Sequence, residues 1–260
     1  MIVPIGNNYQ LWVIANDGSV CAVVNTNQLS PISDPDFAVG LAITQNGTIW
    51  ALSTQPDPQG GSGLMWTQDG STWTAVNNSA PGGVQVAAYI NDACIYLTEA
   101  GDIYFQDTLG NNRQLTAGLN ISDIDTGAGI FWAVFPATPG AIPILQYGTL
   151  ANNQISWKTF NTKMTPGGLS VSYAGDCYGI YEDTPYGYYQ YQQQTAIFGS
   201  GLSGKAMQVT FKNWAYALAN EPTTEGNPVY VWVDEQGGIW QPVGLNVQFV
   251  ASSFSTSSSS

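Results

Sequence analysis

The sequence predicts an all-β chain closed into a six-bladed β-propeller of four-stranded antiparallel blades, arranged as three tandem two-blade repeats. Three observations carry that prediction. A large unit of about 83 residues recurs along the 260-residue chain. Each unit holds paired apolar runs around short polar turns, the signature of hairpins. Stretches with the period of an amphipathic helix are essentially absent.

The repeat is read from three sets of matching phrases. "PGGVQVA" at 81–87 returns as "PGGLSVS" at 166–172 and as "PVGLNVQ" at 242–248. "WAL" at 50–52 returns as "WAV" at 132–134 and "YAL" at 216–218, each followed by a proline-rich stretch. An aromatic strand, a polar turn and a tryptophan come next, in "MWTQDGSTWTAV" from Met65, "QYGTLANNQISWKTF" from Gln146 and "VWVDEQGGIWQPV" from Val231.

A shorter unit is interposed within each large one: "LWVIANDGSVCAV" from Leu11, "CIYLTEAGDIYFQ" from Cys94 and "CYGIYEDTPYGYYQ" from Cys177. Each is two apolar runs around a Gly, Asp, Asn or Pro turn, hence a hairpin. The chain therefore divides into six units of roughly 40 residues, the size of a propeller blade. In one unit "VQVAAY" at 84–89 reads as the innermost strand, "CIYLT" as the second, "DIYFQD" as the third and "RQLTA" as the outermost.

The ends of the chain complete one another in this scheme. "NVQFVAS" at 246–252 is an innermost strand with no partners after it, and "LWVIA" at 11–15 is a second strand with none before it. Their pairing in one blade would remove the free edges that invite aggregation. Residues 1–253 then form one domain and 254–260 a loose Ser-rich tail. Gly82, Gly83, Gly167, Gly168 and Gly244 are expected in the crowded turn from one blade's outer strand to the centre of the next, as scaffold.

Charge excludes several partners. Acids outnumber bases 18 to 5, for a net charge of -13. Nucleic acids and anionic membranes are therefore set aside, because both need clustered Lys and Arg. No run of about 18 apolar residues marks a transmembrane segment. Three cysteines, Cys21, Cys94 and Cys177, cannot all pair within the chain, which favours buried free thiols. "MIVPIGNN" lacks the form of a secretion signal, so the expected location is cytoplasmic, or outside the cell by another route.

The same composition argues against catalysis. The chain has no histidine, which removes Ser-His-Asp and Cys-His mechanisms and the usual zinc sites. Carboxylate pairs in "SDPDF" and "SDID" meet the minimal need of a glycosidase, but read as turn residues. No cofactor is implied.

At this point the residues resemble a known group. The Trp-bearing outer strand, the glycine turn, the "VQVAAY" inner strand and the following "IWAL" or "CIYL" are similar to tectonin and tachylectin-type β-propeller lectins across nearly the whole chain. "DIYFQDTLGNNRQL" also resembles a blade of the fungal fucose-binding propeller lectins. The resemblance implies glycans or glycoconjugates as partners, bound at several clefts between blades. The fucose sites pair an arginine with an acid or amide and an aromatic ring, and Arg113 is the chain's single arginine, so at most one such site is expected.

Sugar chemistry agrees, since flat C–H faces and hydroxyl rims call for aromatic platforms beside carboxylates or amides. Trp66, Trp73, Trp157, Trp232 and Trp240, with Asp69, Asn153 and Asp234, offer both in three related copies. The competing reading is that such tryptophans wedge adjacent sheets together. "TQDGSTW" at 67–73 resembles a shortened Asp-box turn, in which Asp69 would cap its own hairpin.

Loop order gives a last expectation. Asp17, Asp34, Asp36, Asp57, Glu99, Glu182, Asp183, Glu221 and Glu225 fall in connections that share one face, an acidic rim suited to a cation, a cationic partner or solvation alone. Two functions are carried forward: a multivalent lectin, and a protein-interaction or structural propeller without sugar sites.

Overall fold

The computed structural model describes residues 9–25, 28–137, 141–172, 174–190, 192–199, 202–211, 214–221, 223, 226–233 and 239–254. The expected tail from 255 onward, Glu225 and Asp234 lie outside these residues. Among those described, no helix is long and apolar enough to cross a membrane.

The first described strand takes the second position of a blade, with β1 (Tyr9–Ile14), β2 (Val20–Asn25) and β3 (Gln28–Pro31). Blade two is β4 (Ala38–Ile43), β5 (Ile49–Pro56), β6 (Ser62–Thr67) and β7 (Thr74–Ala75). Blade three is β8 (Gln85–Ala88), β9 (Cys94–Leu97), β10 (Ile103–Gln106) and β11 (Asn112–Gln114). Blade four is β12 (Asp123–Gly127), β13 (Ile130–Phe135), β14 (Ile144–Ala151) and β15 (Gln154–Thr159). Blade five is β16 (Gly167–Val171), β17 (Cys177–Tyr181), β18 (Thr184–Tyr189) and β19 (Gln194–Ile197). Blade six is β20 (Gly204–Phe211), β21 (Trp214–Ala219), β22 (Asn227–Val233) and β23 (Gln241–Val247). The last strand, β24 (Phe249–Phe254), returns to blade one.

Six four-stranded sheets result, each antiparallel, with β24-β1-β2-β3 as the composite one. The innermost strands β4, β8, β12, β16, β20 and β24 touch in turn around a closed ring. The tight hairpins follow from turn residues that tolerate the left-handed region. Asn152 and Asn153 (φ 51° and 64°) join β14 to β15, and Glu182 and Asp183 (φ 46° and 62°) join β17 to β18.

Each contact between neighbouring blades has its own apolar cluster. Trp12, Ile14 and Val20 of blade one meet Leu41, Ile43 and Ile49 of blade two, for example. The seam that closes the ring places Leu11, Val13 and Val250 against Tyr216, Val229 and Val247. The three cysteines are buried and free. Cys94 and Cys177 hold equivalent places at the start of β9 and β17, each facing the preceding blade's tryptophan, whereas Cys21 lies in the third strand of its own blade.

The repeated glycine phrase forms the expected crowded turn in the first of its three copies. A Cβ on Gly83 would lie 2.8 Å from Leu52 Cδ2, and Gly83 itself bridges Ser62 as the chain leaves blade two. The second copy is not crowded: Gly167 and Gly168 already belong to innermost strand β16, and a Cβ on Gly167 would meet open space and one on Gly168 nothing nearer than 3.8 Å. The third copy departs from expectation: Gly244 lies inside outer strand β23, and the innermost strand starts at Phe249 rather than near 246. The reason is burial, because Leu245 and Val247 pack into the closing seam and extend β23. Phe254, expected in the tail, pairs with Tyr9.

Closure rests on six register pairs, from Tyr9↔Phe254 to Ile14↔Phe249. Truncation after Gln248 bares the β1 edge and removes Val250 from the seam. The expected outcome is loss of the cooperative melt and appearance of oligomers, checked by calorimetry and size-exclusion chromatography.

Candidate functional site

The tryptophans fall into two tiers of wedges. In the second strands, Trp50 donates its Nε1–H to Asp92 O (3.2 Å) and Trp132 to Gly175 O (2.9 Å), each reaching into the following blade. In the outer region, Trp73 donates to Ile32 O (3.1 Å) and Trp240 to Phe198 O (3.2 Å), each reaching back to the preceding blade. Trp240 is only 4% exposed, so its ring is enclosed between blades five and six rather than presented to solvent. Trp73 is half-buried against Phe37 (4.7 Å between ring centres). Trp66 packs beside Trp50 (6.2 Å) on the opposite side of blade two, so it does not share a cleft with Trp73.

Of the polar residues paired with these rings, Asp69 serves the backbone. Asp69 Oδ1 accepts from the Ser71 and Thr72 amides (2.8 Å each) and from Thr67 Oγ1 (3.0 Å), as the Asp-box resemblance implied. Those amides hold its carboxyl far below the usual carboxylate range. Trp232 lies in β22, and Asp234 is not among the described residues.

The cleft between blades three and four differs from its two counterparts. Arg113 of β11 crosses it and donates Nη1–H to Asn153 Oδ1 (2.6 Å), while its guanidinium lies 4.6 Å from the centre of the Phe105 ring. Trp157 is half-buried in the same inter-blade seam, edge-on to Phe135 (5.2 Å), and its buried Nε1 has no hydrogen-bond partner. Arg113, Asn153 and Trp157 are thus brought to one cleft.

The expected acidic rim is assembled. Asp17, Asp57, Glu99, Glu182, Asp183 and Glu221 lie in second-to-third-strand connections, and Asp34 and Asp36 in the crossing to β4. These connections touch one another: Asp36 N donates to Asp17 O (2.6 Å), and Gly204 N to Asp183 O (2.8 Å). Asp102 joins them at the end of its loop. Among the described residues, however, no group of three or more such side chains is placed to hold a metal ion.

Sequence reasoning missed the channel wall. The innermost strands surround a cavity of about 560 Å³, lined mainly by apolar side chains. Along part of the ring, each inner strand hands a polar side chain to the bare backbone edge of the next. Gln85 of β8 brackets Ile124, accepting from its amide (3.1 Å) and donating to its carbonyl (2.8 Å). Asp123 Oδ2 of β12 accepts from Leu169 N (3.1 Å), and Asp125 Oδ2 from Val171 N (2.6 Å). Ser170 Oγ of β16 accepts from Val209 N (2.8 Å).

"SDID" is therefore strand, not turn. Asp123 and Asp125, two residues apart, point to the same side of β12. The signal available was the alternation of Asp with Ile124, which buries completely. Burial raises the Asp125 carboxyl to about 7, opposed by the Val171 amide, and burial also raises Asp123, opposed first by Gln85.

No protein-family model matches the chain, and no curated protein is similar to it in sequence. Solved structures share its fold. A nidogen/laminin complex contains a chain similar at 11% identity with a TM-score of 0.69, covering 94% of this chain and 98% of that one. YCF48 bound to D1 peptide is similar at 12% identity and 0.57, covering 91% and 79%. Virginiamycin B lyase from Staphylococcus aureus is similar at 12% and 0.53, covering 96% and 88%. At these identities the likeness establishes a propeller and nothing finer.

The Asp125 carboxyl gives stability a pH signature. Its folded pKa is raised above 3.8, so the folded chain keeps a proton that the unfolded chain releases. Its contribution is complete below pH 3.8 and is lost as pH rises through about 7. With no histidine in the chain, few other side chains titrate there. The melting temperature should fall by about 5 °C between pH 5 and 8 in the native sequence. Asp125→Asn, which retains an acceptor for Val171, should flatten that slope in scanning calorimetry.

Proposed function

We propose that the chain is a non-catalytic recognition propeller that docks a cationic protein partner on its acid-rimmed face. The carrying observation is the gathering of Asp17, Asp34, Asp36, Asp57, Glu99, Asp102, Glu182, Asp183 and Glu221 on the connections of one face. Such a field steers and orients a basic partner, most strongly at low salt. The absence of histidine and the single arginine support a non-catalytic role. Two similar propeller-containing structures, a nidogen/laminin complex and YCF48 bound to D1 peptide, are assemblies with a protein or peptide.

The test is affinity capture with the native sequence beside a variant carrying Asp34→Asn, Asp57→Asn, Glu99→Gln and Glu221→Gln. A basic protein, identified by mass spectrometry, should be retained at low salt, released by about 0.5 M salt, and absent from the variant. Equal retention by the variant, with both melting alike, would refute the reading.

One observation favours a second reading, a carbohydrate-binding propeller. The cleft between blades three and four combines the half-buried Trp157 with Arg113 and Asn153. This supports one glycan site rather than several. Retention on immobilised N-acetylglucosamine or galactose, lost at least tenfold in Trp157→Phe and Arg113→Ala with the melt preserved, is the outcome it requires. Trp73→Phe and Trp240→Phe should instead lower stability by about 1–3 kcal/mol and leave retention intact.

A further inference from the structure

We propose that the central channel is a binding site for a small apolar molecule that carries one protonated amine. Its volume of about 560 Å³ falls in the range of roughly 300–1,000 Å³ typical of small-ligand sites. The wall presents Val39, Ile43, Val84, Ile90, Leu169 and Phe249. Of these, Val39, Val84 and Ile90 remain 56%, 51% and 52% exposed, so the fold itself leaves them uncovered.

The polarity of the wall selects the charge. Asp125 is the single carboxylate among the residues that line the cavity, and none of them is Lys or Arg. Its Oδ2 takes the Val171 amide and the Thr126 amide also reaches its carboxyl, while among the described residues no side chain is bonded to Oδ1. Asp123 lies on the same side of β12 and adds negative potential, with its own oxygens held by Gln85 and Leu169.

A charge pair in an apolar enclosure interacts far more strongly than in water, and an unpaired carboxylate there is penalised. An ammonium group against Oδ1 supplies the opposite charge that the lining residues lack, and an apolar body covers the exposed valines and isoleucine. An anion meets repulsion, and a neutral apolar molecule leaves the carboxylate unpaired. This inference is independent of the acid-rim reading, because the rim carboxylates do not line the cavity.

1-Adamantylamine and 1-adamantanol share one apolar cage and differ in charge, so calorimetric titration of both at about pH 7.5 is the test. The amine should bind at least tenfold tighter than the alcohol. Asp125→Asn should bring the amine to the alcohol's level, Val39→Trp should weaken both, and the paired rim variant Glu99→Gln, Glu221→Gln should alter neither. Equal affinities, no amine binding, survival of the preference in Asp125→Asn, or its loss in the rim variant would each overturn the proposal. Where Asp125→Asn fails to fold, the native ratio together with Val39→Trp decides.

Discussion

A four-stranded blade has two apolar faces and is stable only with a neighbour on each side, so the ring must close before any blade is fully buried. The β24–β1 pairing supplies that closure. Every other feature depends on it, from the separate clusters at each seam to the cavity enclosed by the inner strands. Most of those clusters are local in sequence, whereas the seam between blade six and blade one joins residues 11–23 to residues 216–250. Its formation waits on the entropy of joining the chain ends.

The tryptophans show how repetition divides labour. A wedging ring buries a broad apolar body between sheets and fixes its angle with one indole hydrogen bond to a neighbour's carbonyl. Trp50, Trp73, Trp132 and Trp240 all do so. Trp157 keeps the body and lacks the bond, and at that position Arg113 spans the seam instead. A buried donor without a partner lowers stability, and repeats tolerate such a departure where the rest of the ring holds the geometry. Among the described residues blade five carries the other departures, since Ser172 Oγ, Gln190 Nε2 and Tyr188 OH are also buried and unpartnered.

Much of this architecture is legible in the amino-acid order, because hairpin turns and apolar alternation are local properties. The strands around Cys94 and Ile103 fall where their alternation places them, and Leu11 to Ile14 find their partner at the opposite end. What escapes is set by tertiary contact. Gly244 looks like its counterparts in "PGG", yet Leu245 and Val247 draw it into a longer outer strand. The Asp123 and Asp125 pair looks like a turn until the ring brings the bare edge of β16 within reach. Residue type alone does not separate a tryptophan that wedges from one with an available face. The distinction appears only when Trp240 is seen enclosed and Trp157 half-open.

The place where the chain enters and leaves the torus has an engineering consequence. Tyr9 and Phe254 are paired neighbours on adjacent strands of one sheet. A linker joined to both would meet them a few ångströms apart, so the whole ring suits insertion as a cassette into a loop of a host protein without stretching that host. Tension applied between those same two points would peel the composite sheet open like a zip, one rung at a time, rather than shear it.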